Sequence, residues 1–324
     1  MAVRYLDDAR RRRSGAVSLR EGLKAVLGAI DPVASPLTQT TRQQTISGSV
    51  VEAVAVHVED GIQVPLLVLK PANSSGRLPL VVAVAQGGKR GFLFYRSAEI
   101  AHLLASGTVV CLPDLRGIGE TSPDQDATGR AAQLEMALGG SLVGARLKDL
   151  RTVLAYLRAR PDIDPGRIAI WGDSFAPTNS SELVMDEIEN EAGPEVEHQG
   201  EPAGALLAML AGLYEDSVQA IAALGGLAEF TSVLDHAFTY VPMDALVPGV
   251  LKTADIPDIA AALAPRRLLF AEAIDGRNVR LEQPALSRSW GRVLEAYGRA
   301  GPRQLSLSAS APSTADWLIA ALAK

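Results

Sequence analysis

A continuous apolar run in the first third of the chain places the strongest constraint on its fold. Residues 80–85 are all apolar, and the run ends directly at Gln86-Gly87-Gly88. A strand with one face in water alternates apolar and polar side chains, whereas an unbroken run of this length indicates a strand that is buried on both faces. Such strands occur in sheets that carry helices on both sides, so the run predicts a layered α/β domain.

Shorter apolar segments repeat this strand signature further along the chain, with helical segments between them. Strands are predicted at 107–113, 167–171, 218–224 and 266–271, and the apolar spacing within 142–157 predicts an amphipathic helix. An alternation of strands and helices calls for a mostly parallel central sheet flanked by helices.

The segments before this alternation differ in pattern. Asp60-Gly61 joins two β-rich stretches, 50–58 and 62–69, and such a dipeptide predicts an antiparallel hairpin. Residues 1–45 are predicted to form an N-terminal extension that is helical or irregular. The remainder, residues 46–324, is predicted to be one α/β domain.

Two segments interrupt that domain. Residues 178–201 are rich in Asp and Glu and contain no Lys or Arg, which indicates an acidic surface insertion. Residues 229–258 contain several prolines without a clear period and are predicted to form an irregular loop region. Both segments follow predicted strands, and open α/β sheets place their sites beyond the carboxyl ends of the strands. We therefore expect both segments to lie beside a functional site.

Composition limits the classes of partner. Of the 324 residues 48% are hydrophobic, which suffices for a large core, and the formal net charge of −6 argues against nucleic acid or an anionic membrane as a partner. The single cysteine, Cys111, excludes an internal disulfide and a cysteine-clustered metal site. No phosphate-binding loop and no recognised metal-ligand spacing occurs, so neither cofactor nor metal is predicted. A small-molecule substrate is the remaining expectation, and the sequence leaves a homo-oligomer open.

The N-terminal segment is not typical of a secretory leader or a membrane anchor. After the basic cluster at 10–13, charge returns at Arg20 and Glu21, too soon for the apolar core of about 7–15 residues that a leader needs. No run of roughly 18 apolar residues occurs, so no membrane-spanning helix is expected. The default prediction is a cytoplasmic protein, although a secreted chain that had lost its leader would have the same sequence.

A serine directly after the predicted strand 167–171 carries the main chemical signal. Gly172-Asp173-Ser174-Phe175-Ala176 matches the G-x-S-x-G pattern of a nucleophile elbow, with alanine in place of the second glycine. The pattern needs small residues two positions either side of the serine because the turn is crowded. It predicts Ser174 as a nucleophile whose oxyanion would be stabilised by the backbone N–H of Phe175. The alternative is an ordinary serine in a surface turn.

A glycine loop after the first buried strand complements this serine. Gln86-Gly87 follows the strand in the position from which proteins with a nucleophile elbow supply a second oxyanion donor. Glycine there lets the backbone approach a substrate closely. The backbone of Gln86 and Gly87, together with the N–H of Phe175, is therefore the predicted oxyanion hole.

The order of these motifs resembles the α/β-hydrolase superfamily, and within it the acetyl xylan esterase and dienelactone hydrolase-like branch. The resemblance is carried by four segments: Gln86-Gly87-Gly88, DLRGIGET at 114–121, RPDIDPGRIAIWGDSFA at 160–176, and the helix and strand at 255–269. It covers residues 50–320 and implies an α/β-hydrolase fold and a serine esterase acting on an acylated carbohydrate or another small ester.

The resemblance also implies a triad acid and a triad histidine. Asp275 occupies the position of the acid, where a carboxylate would orient a histidine and stabilise its cation. The alternative is a loop aspartate that caps the next helix. The triad histidine would stand between the last strand and the terminal helix, but residues 308–314 contain none.

The chain has four histidines from which a base could come: His57, His102, His198 and His236. His236 is favoured as a relocated base, because it follows a predicted strand and its loop could overhang Ser174. Without a base, a serine hydroxyl is a poor nucleophile. Two hypotheses therefore stay open: a serine esterase with a relocated base, and a catalytically lapsed hydrolase that acts as a binding or structural protein.

Overall fold

The structure of the chain is a computed structural model that describes residues 18–122, 125–182, 198–301 and 304–323. The strands are β1 (Thr38–Ile46), β2 (Ser49–Glu59), β3 (Ile62–Pro71), β4 (Leu78–Val84), β5 (Val109–Pro113), β6 (Ile163–Gly172), β7 (Val218–Leu224), β8 (Arg267–Ala271) and β9 (Leu305–Ser308). The helices are α1 (Leu19–Leu27), α2 (Gly88–Tyr95), α3 (Ser97–Ala105), α4 (Gln125–Ala137), α5 (Leu142–Ala159), α6 (Ala203–Tyr214), α7 (Ile256–Ala262), α8 (Gln283–Ser289), α9 (Gly291–Ala300) and α10 (Thr314–Leu322).

Within the described ranges, nine strands form one mixed sheet in the order β1-β2-β3-β5-β4-β6-β7-β8-β9. The strands from β5 to β9 pair in parallel, and β1, β2 and β3 join the sheet in antiparallel fashion. Side chains of α1, α5, α6 and α7 cover one face with apolar residues, and α2, α3 and α10 cover the other. The predicted α/β class, with a mostly parallel sheet flanked by helices, is confirmed. The predicted Asp60-Gly61 hairpin is also confirmed, since it joins β2 to β3.

The prediction of a helical or irregular extension is wrong for residues 38–45, because Thr38–Ile46 is a strand at the edge of the sheet. Its sequence, TQTTRQQTI, has no apolar alternation, and nearly all of its side chains are exposed. The strand is held by backbone pairing to β2 through a two-residue turn at Ser47-Gly48, whose φ angles of 49° and 77° suit a tight hairpin. The extension is therefore part of the sheet, and α1 contributes Leu23 and Leu27 to the core. Residues 1–17 lie outside the described part of the chain.

The carboxyl ends of β4, β6, β7 and β8 meet at one edge of the sheet, and this edge carries the predicted site residues. Helix α6 packs directly on the end of β6 through two glycines. A side chain at Gly172 would bring its Cβ within 2.2 Å of the carbonyl oxygen of Gly204, and one at Gly204 would clash with the backbone of Asp173. This contact fixes the segment that precedes α6 beside the residues that follow β6.

The described ends of the first predicted interruption, 178–182 and 198–201, lie at this edge together with the second interruption, 229–258. Residues 229–258 contain short 3₁₀ segments at Phe230–Leu234, Met243–Ala245 and Val250–Lys252, joined by loops. Residues 183–197, which form most of the acidic insertion, lie outside the described residues. Among the described residues, no helix combines the length and the apolarity needed to cross a membrane.

Candidate active site

Ser174 lies just past the end of β6, where the sheet is covered on both faces. The predicted sharp elbow is wrong in form. The non-glycine residues with positive φ in the described ranges are Ser47, Glu272 and Asn278, so Ser174 does not have the left-handed conformation of a tight elbow. Within the described residues, the next helix after β6 is α6, which begins at Ala203.

Close contacts hold Ser174 in place from two sides. The backbone N–H of Ser174 donates to Oδ1 of Asp173 at 2.8 Å. On the other side lies Gly225, with a φ of 63°, where an added Cβ would come within 2.5 Å of the Cβ of Ser174. Only glycine fits there, a constraint that the sequence analysis missed. Within the described residues the hydroxyl of Ser174 makes no hydrogen bond, so it lies beside the sheet edge without a base.

Asp173 is a buried carboxylate that anchors this segment. Its side chain is 1% exposed, and the guanidinium of Arg96 donates to both of its oxygens, at 2.8 Å and 3.2 Å. Burial raises the pKa of Asp173 in spite of this ion pair. The aromatic ring of Phe175 stacks on Tyr95 and meets Phe92 edge-on, so its side chain is fixed against α2. These contacts hold the backbone on both sides of Ser174.

The backbone N–H of Phe175, which is the predicted oxyanion donor, is already occupied. It donates to Oε2 of Glu201 at 3.1 Å. Burial raises the pKa of Glu201, and repulsion from Asp244 and Asp173 adds to the effect. In the sequence, Glu201 is the last acidic residue of the predicted insertion. Its place two residues before a buried helix was the one signal that set it apart.

A polar cleft of about 700 Å³ opens beside Glu201. Its wall contains Gln86, Gly87, Arg90, residues 117–119, Ser122, Thr128, Gly129, Arg146, residues 199–201 and residues 242–244. The amide of Gln86 braces this wall, since its Nε2 donates to Asp244 at 3.2 Å and its Oε1 accepts from the backbone N–H of Ala203 at 2.9 Å. The predicted oxyanion loop thus lines the cleft, and its glutamine side chain is used for support.

A buried arginine also supports Asp244. Arg146 is fully buried, and it donates to Oδ2 of Asp244 at 2.8 Å and to the carbonyl oxygen of Arg116 at 3.0 Å. The charge of Asp244 is therefore balanced, while Glu201 forms no ion pair within the described residues. The two carboxyl groups in the cleft are those of Glu201 and Asp244. Within the described residues Glu201 is bonded only to the backbone N–H of Phe175, whereas Asp244 is bonded to the side chains of Gln86 and Arg146.

Asp275, the predicted triad acid, forms its hydrogen bonds within its own loop. Its Oδ1 accepts from the backbone N–H groups of Arg277 at 2.8 Å and Val279 at 2.9 Å, and its Oδ2 lies 3.4 Å from Nε of Arg277. His236, the predicted base, is exposed and makes no hydrogen bond among the described residues. No hydrogen bond joins Ser174, Asp275 and His236 in the described part of the chain.

The loops that carry these three residues nevertheless pack together. The carbonyl oxygen of Gly276 accepts from the hydroxyl of Thr239 at 2.8 Å and the backbone N–H of Tyr240 at 2.9 Å, in the loop of His236. The Asn278 amide donates to the carbonyl oxygen of Pro177 at 2.9 Å, in the segment after Ser174. The structure therefore brings the three loops together without joining their side chains.

The other histidines are used elsewhere. His57 lies within β2, and the imidazole of His102 pairs with Asp316 of α10 at 2.8 Å on the surface. The backbone of His198 is bonded to the side chain of Asn179. No described contact links any of the three to Ser174.

No protein-family model matches the sequence, and no curated protein matches it. Solved structures do match. One is a candidate acetyl xylan esterase from Bacteroides fragilis NCTC 9343, at 18% identity and a TM-score of 0.69, over 94% of this chain and 76% of that one. Another is a glucuronoyl esterase from Solibacter usitatus, at 13% identity and a TM-score of 0.59, over 94% and 91% of the two chains.

A third similar structure is acetyl xylan esterase 1 from Thermoanaerobacterium sp. JW/SL YS485, at 12% identity and a TM-score of 0.57, over 98% of this chain and 94% of that one. At these identities the likeness concerns the fold. The chain has the α/β-hydrolase fold of these esterases, and the resemblance predicted from the sequence is confirmed at that level.

Proposed function

We propose that the chain is a serine carboxylic-ester hydrolase that acts on an acylated carbohydrate or another small ester. The observation that carries the proposal is the position of Ser174. It follows the central strand β6 and precedes a backbone N–H, that of Phe175, which binds a carboxylate oxygen at 3.1 Å. A donor that holds an anionic oxygen is suited to the oxyanion of an ester reaction.

In this proposal the hydroxyl oxygen of Ser174 attacks the carbonyl carbon of the ester, and its proton passes to a base. The oxyanion is held by the N–H of Phe175 and by the backbone of Gln86 and Gly87. Collapse of the intermediate expels the alcohol, which takes the proton back, and leaves an acyl group on Ser174. Water then attacks the acyl carbon by the same route, and the acid and the free serine are released.

The base in this proposal is His236, with Asp275 as its acidic partner. Its imidazole has to reach Ser174, so its loop has to close over the end of β6. Support comes from the contacts that tie the loop of His236 to Gly276 and the loop of Asn278 to Pro177. These place the three segments side by side at one edge of the sheet.

The substrate class is proposed from the lining of the cleft and from the fold. Gln199, Thr128 and Arg90 are among the residues that line the cleft, and polar side chains of these types suit the hydroxyl groups of a sugar or a small polyol ester. The similar structures are described as acetyl xylan and glucuronoyl esterases, and an ester of a carbohydrate is consistent with both descriptions.

The proposal is tested by labelling with a fluorophosphonate and locating the label by mass spectrometry. We expect the wild-type protein to be labelled on Ser174 and to hydrolyse 4-nitrophenyl acetate, and Ser174→Ala to lose both properties. Ser180→Ala, an exposed serine in the same segment, is the matched control and should retain them. An unlabelled Ser174 together with no turnover of acetyl esters would overturn the proposal.

The proposed base is tested separately. His236→Ala should reduce turnover by at least about 100-fold if His236 is the base, since general-base groups contribute on that order. His102→Ala, which alters an exposed histidine paired with Asp316, should leave turnover unchanged. Equal activity in the two variants would exclude His236.

A second candidate function, a binding protein without turnover, is favoured by one observation. The hydroxyl of Ser174 makes no hydrogen bond within the described residues, and the adjacent donor is filled by Glu201. Such a protein would bind acetylated oligosaccharides in calorimetry and leave them intact. The esterase proposal predicts that the same ligands lose acetate.

A further inference from the structure

We propose that Glu201 competes with the substrate for the backbone N–H of Phe175, so that the oxyanion hole accepts an ester oxygen only when this carboxyl group is protonated or displaced. The inference rests on the proposed ester hydrolysis and deepens it. It makes Glu201 a residue that determines the pH at which the site binds its substrate.

The geometry supports this competition directly. Oε2 of Glu201 is 3.1 Å from the nitrogen of Phe175, within the range in which an oxyanion would accept the same hydrogen bond. That nitrogen is bonded to the carbonyl carbon of Ser174, so the carboxylate lies within one peptide unit of the nucleophile. A substrate oxygen and the Glu201 oxygen cannot both occupy this position.

Glu201 is held there by the fold of the segment around it. The next residues begin α6, and the glycine contact between Gly172 and Gly204 fixes that helix against the end of β6. The amide of Gln86 accepts from the N–H of Ala203, two residues after Glu201. The carboxylate is therefore presented to Phe175 by an anchored backbone.

The charged groups around Glu201 make its ionised form costly. Asp173, at the end of β6, is paired with Arg96, and Asp244, in the 3₁₀ segment 243–245, is paired with Arg146. Arg90 of α2 lines the same cleft but forms no ion pair with Glu201 in the described structure. No cation therefore balances Glu201, and its partner is a neutral backbone group.

These surroundings make the contact sensitive to protonation. Burial raises the pKa of Glu201 above the usual value of 4.5, so the neutral form is reached at a higher pH than for an exposed glutamate. A hydrogen bond to an ionised acceptor is about twice as strong as one to a neutral acceptor. A proton on Glu201 thus weakens its hold on the N–H of Phe175 and leaves this donor to the substrate.

The contact itself is tested by NMR of protein labelled with ¹⁵N-phenylalanine, which gives six backbone signals at most. We expect the amide proton of Phe175 to shift with pH as Glu201 titrates, and the inflection to vanish in Glu201→Gln. Glu21→Gln, an exposed glutamate on α1, is the control and should leave the inflection unchanged. A Phe175 amide whose shift does not depend on Glu201 would overturn the inference whatever the activity.

The competition is tested by the rate of fluorophosphonate labelling of Ser174. At pH 7 Glu201→Ala should be labelled about tenfold faster than the wild type, because a charge-assisted hydrogen bond no longer blocks the donor. The difference should shrink as the pH falls and Glu201 becomes neutral. Equal or slower labelling of Glu201→Ala would overturn the inference, and a large loss would indicate that Glu201 accepts the proton of Ser174.

The failure of the proposed function is distinguishable from the failure of this inference. If Ser174 is unlabelled in every variant, ester hydrolysis is excluded, and the competition is then measured with acetate as the probe. Added acetate should shift the Phe175 amide signal of Glu201→Ala but not that of the wild type at pH 7. The absence of that difference would exclude competition at this donor.

Discussion

Carboxyl groups lie at both ends of β6, but their pKa values are shifted in opposite directions. Before the strand, Asp162 accepts hydrogen bonds from Arg160 at 2.8 Å and Lys70 at 3.0 Å, and these cations lower its pKa to about 2. Beyond the strand, burial raises the pKa values of Asp173 and Glu201. The carboxylate at the first end stabilises the fold by being ionised, whereas the two at the second end are ionised at an energetic cost.

This difference distinguishes ion pairs that stabilise the fold from carboxyl groups that are candidates for a role in chemistry. Asp162 and Asp173 each have a cation as partner, whereas Glu201 has none among the described residues. Functional sites concentrate groups whose pKa values are pushed away from the range that favours their charge. By this criterion the carboxyl end of β6, where Ser174 lies, is the candidate functional end.

The largest effect on the free energy of unfolding is expected from removing Arg96, the cation at the carboxyl end of β6. Arg96→Met would leave Asp173 buried without a partner, and loss of one member of a buried pair costs about 3–5 kcal/mol of the free energy of unfolding. Urea unfolding measures this loss. Arg299→Met, an exposed arginine that pairs with Glu295 on α9, should cost no more than about 0.5 kcal/mol. Similar losses for the two variants would mean that Asp173 does not depend on its ion pair.

A smaller effect is expected at the amino end of the strand. Asp162→Asn should lower the free energy of unfolding by about 1 kcal/mol at neutral pH, since the group is partly exposed and solvent screens its ion pairs. Its pKa of about 2 in the folded protein lies below the usual value of 3.8. The stabilisation is therefore complete above about pH 4 and is lost as the pH falls through 2. The two proteins should converge near pH 2, whereas Asp60→Asn, in an exposed turn, should match the wild type throughout.

The smallest effect, and one of opposite sign, is expected for the stability of Glu201→Gln. The pKa of Glu201 is raised on folding, so the folded protein binds more protons than the unfolded chain above about pH 4. The wild type therefore loses stability as the pH rises through the folded-state pKa, and the variant escapes this loss. The difference in Tm, variant minus wild type, should increase from pH 4 to pH 7. A difference that decreases over this interval would contradict a raised pKa.

Much of the fold could be predicted from the sequence because buried parallel strands have a strong local signature. The apolar residues of β4, β6, β7 and β8 are buried in nearly continuous runs, and such runs are visible in the sequence itself. Strand β1 has no such signature, because its side chains face water and its stability comes from backbone pairing. The Ser47-Gly48 turn was the local signal that could have identified it.

The candidate site was predictable only where a single segment defines it. Ser174 and the Gln86-Gly87 loop could be proposed because a short motif marks each of them at the end of a strand, and their roles stay predictions. Glu201 and Arg96 reach Phe175 and Asp173 from distant parts of the chain, and Gly225 is required only by its distance from Ser174. Such contacts arise from tertiary packing, which residue spacing does not encode.

Strand β1 also determines how the molecule presents its sheet to other molecules. A long, flat and apolar edge would recruit strands from neighbouring chains. The polar side chains of β1, the charge of Arg42 and the register shift between Thr40 and Arg42 all oppose such recruitment. Without this strand the new edge would be β2, which carries Val54, Val56 and Val58 in alternation. The sheet therefore ends in a polar, irregular strand, an edge to which strands of other molecules pair poorly.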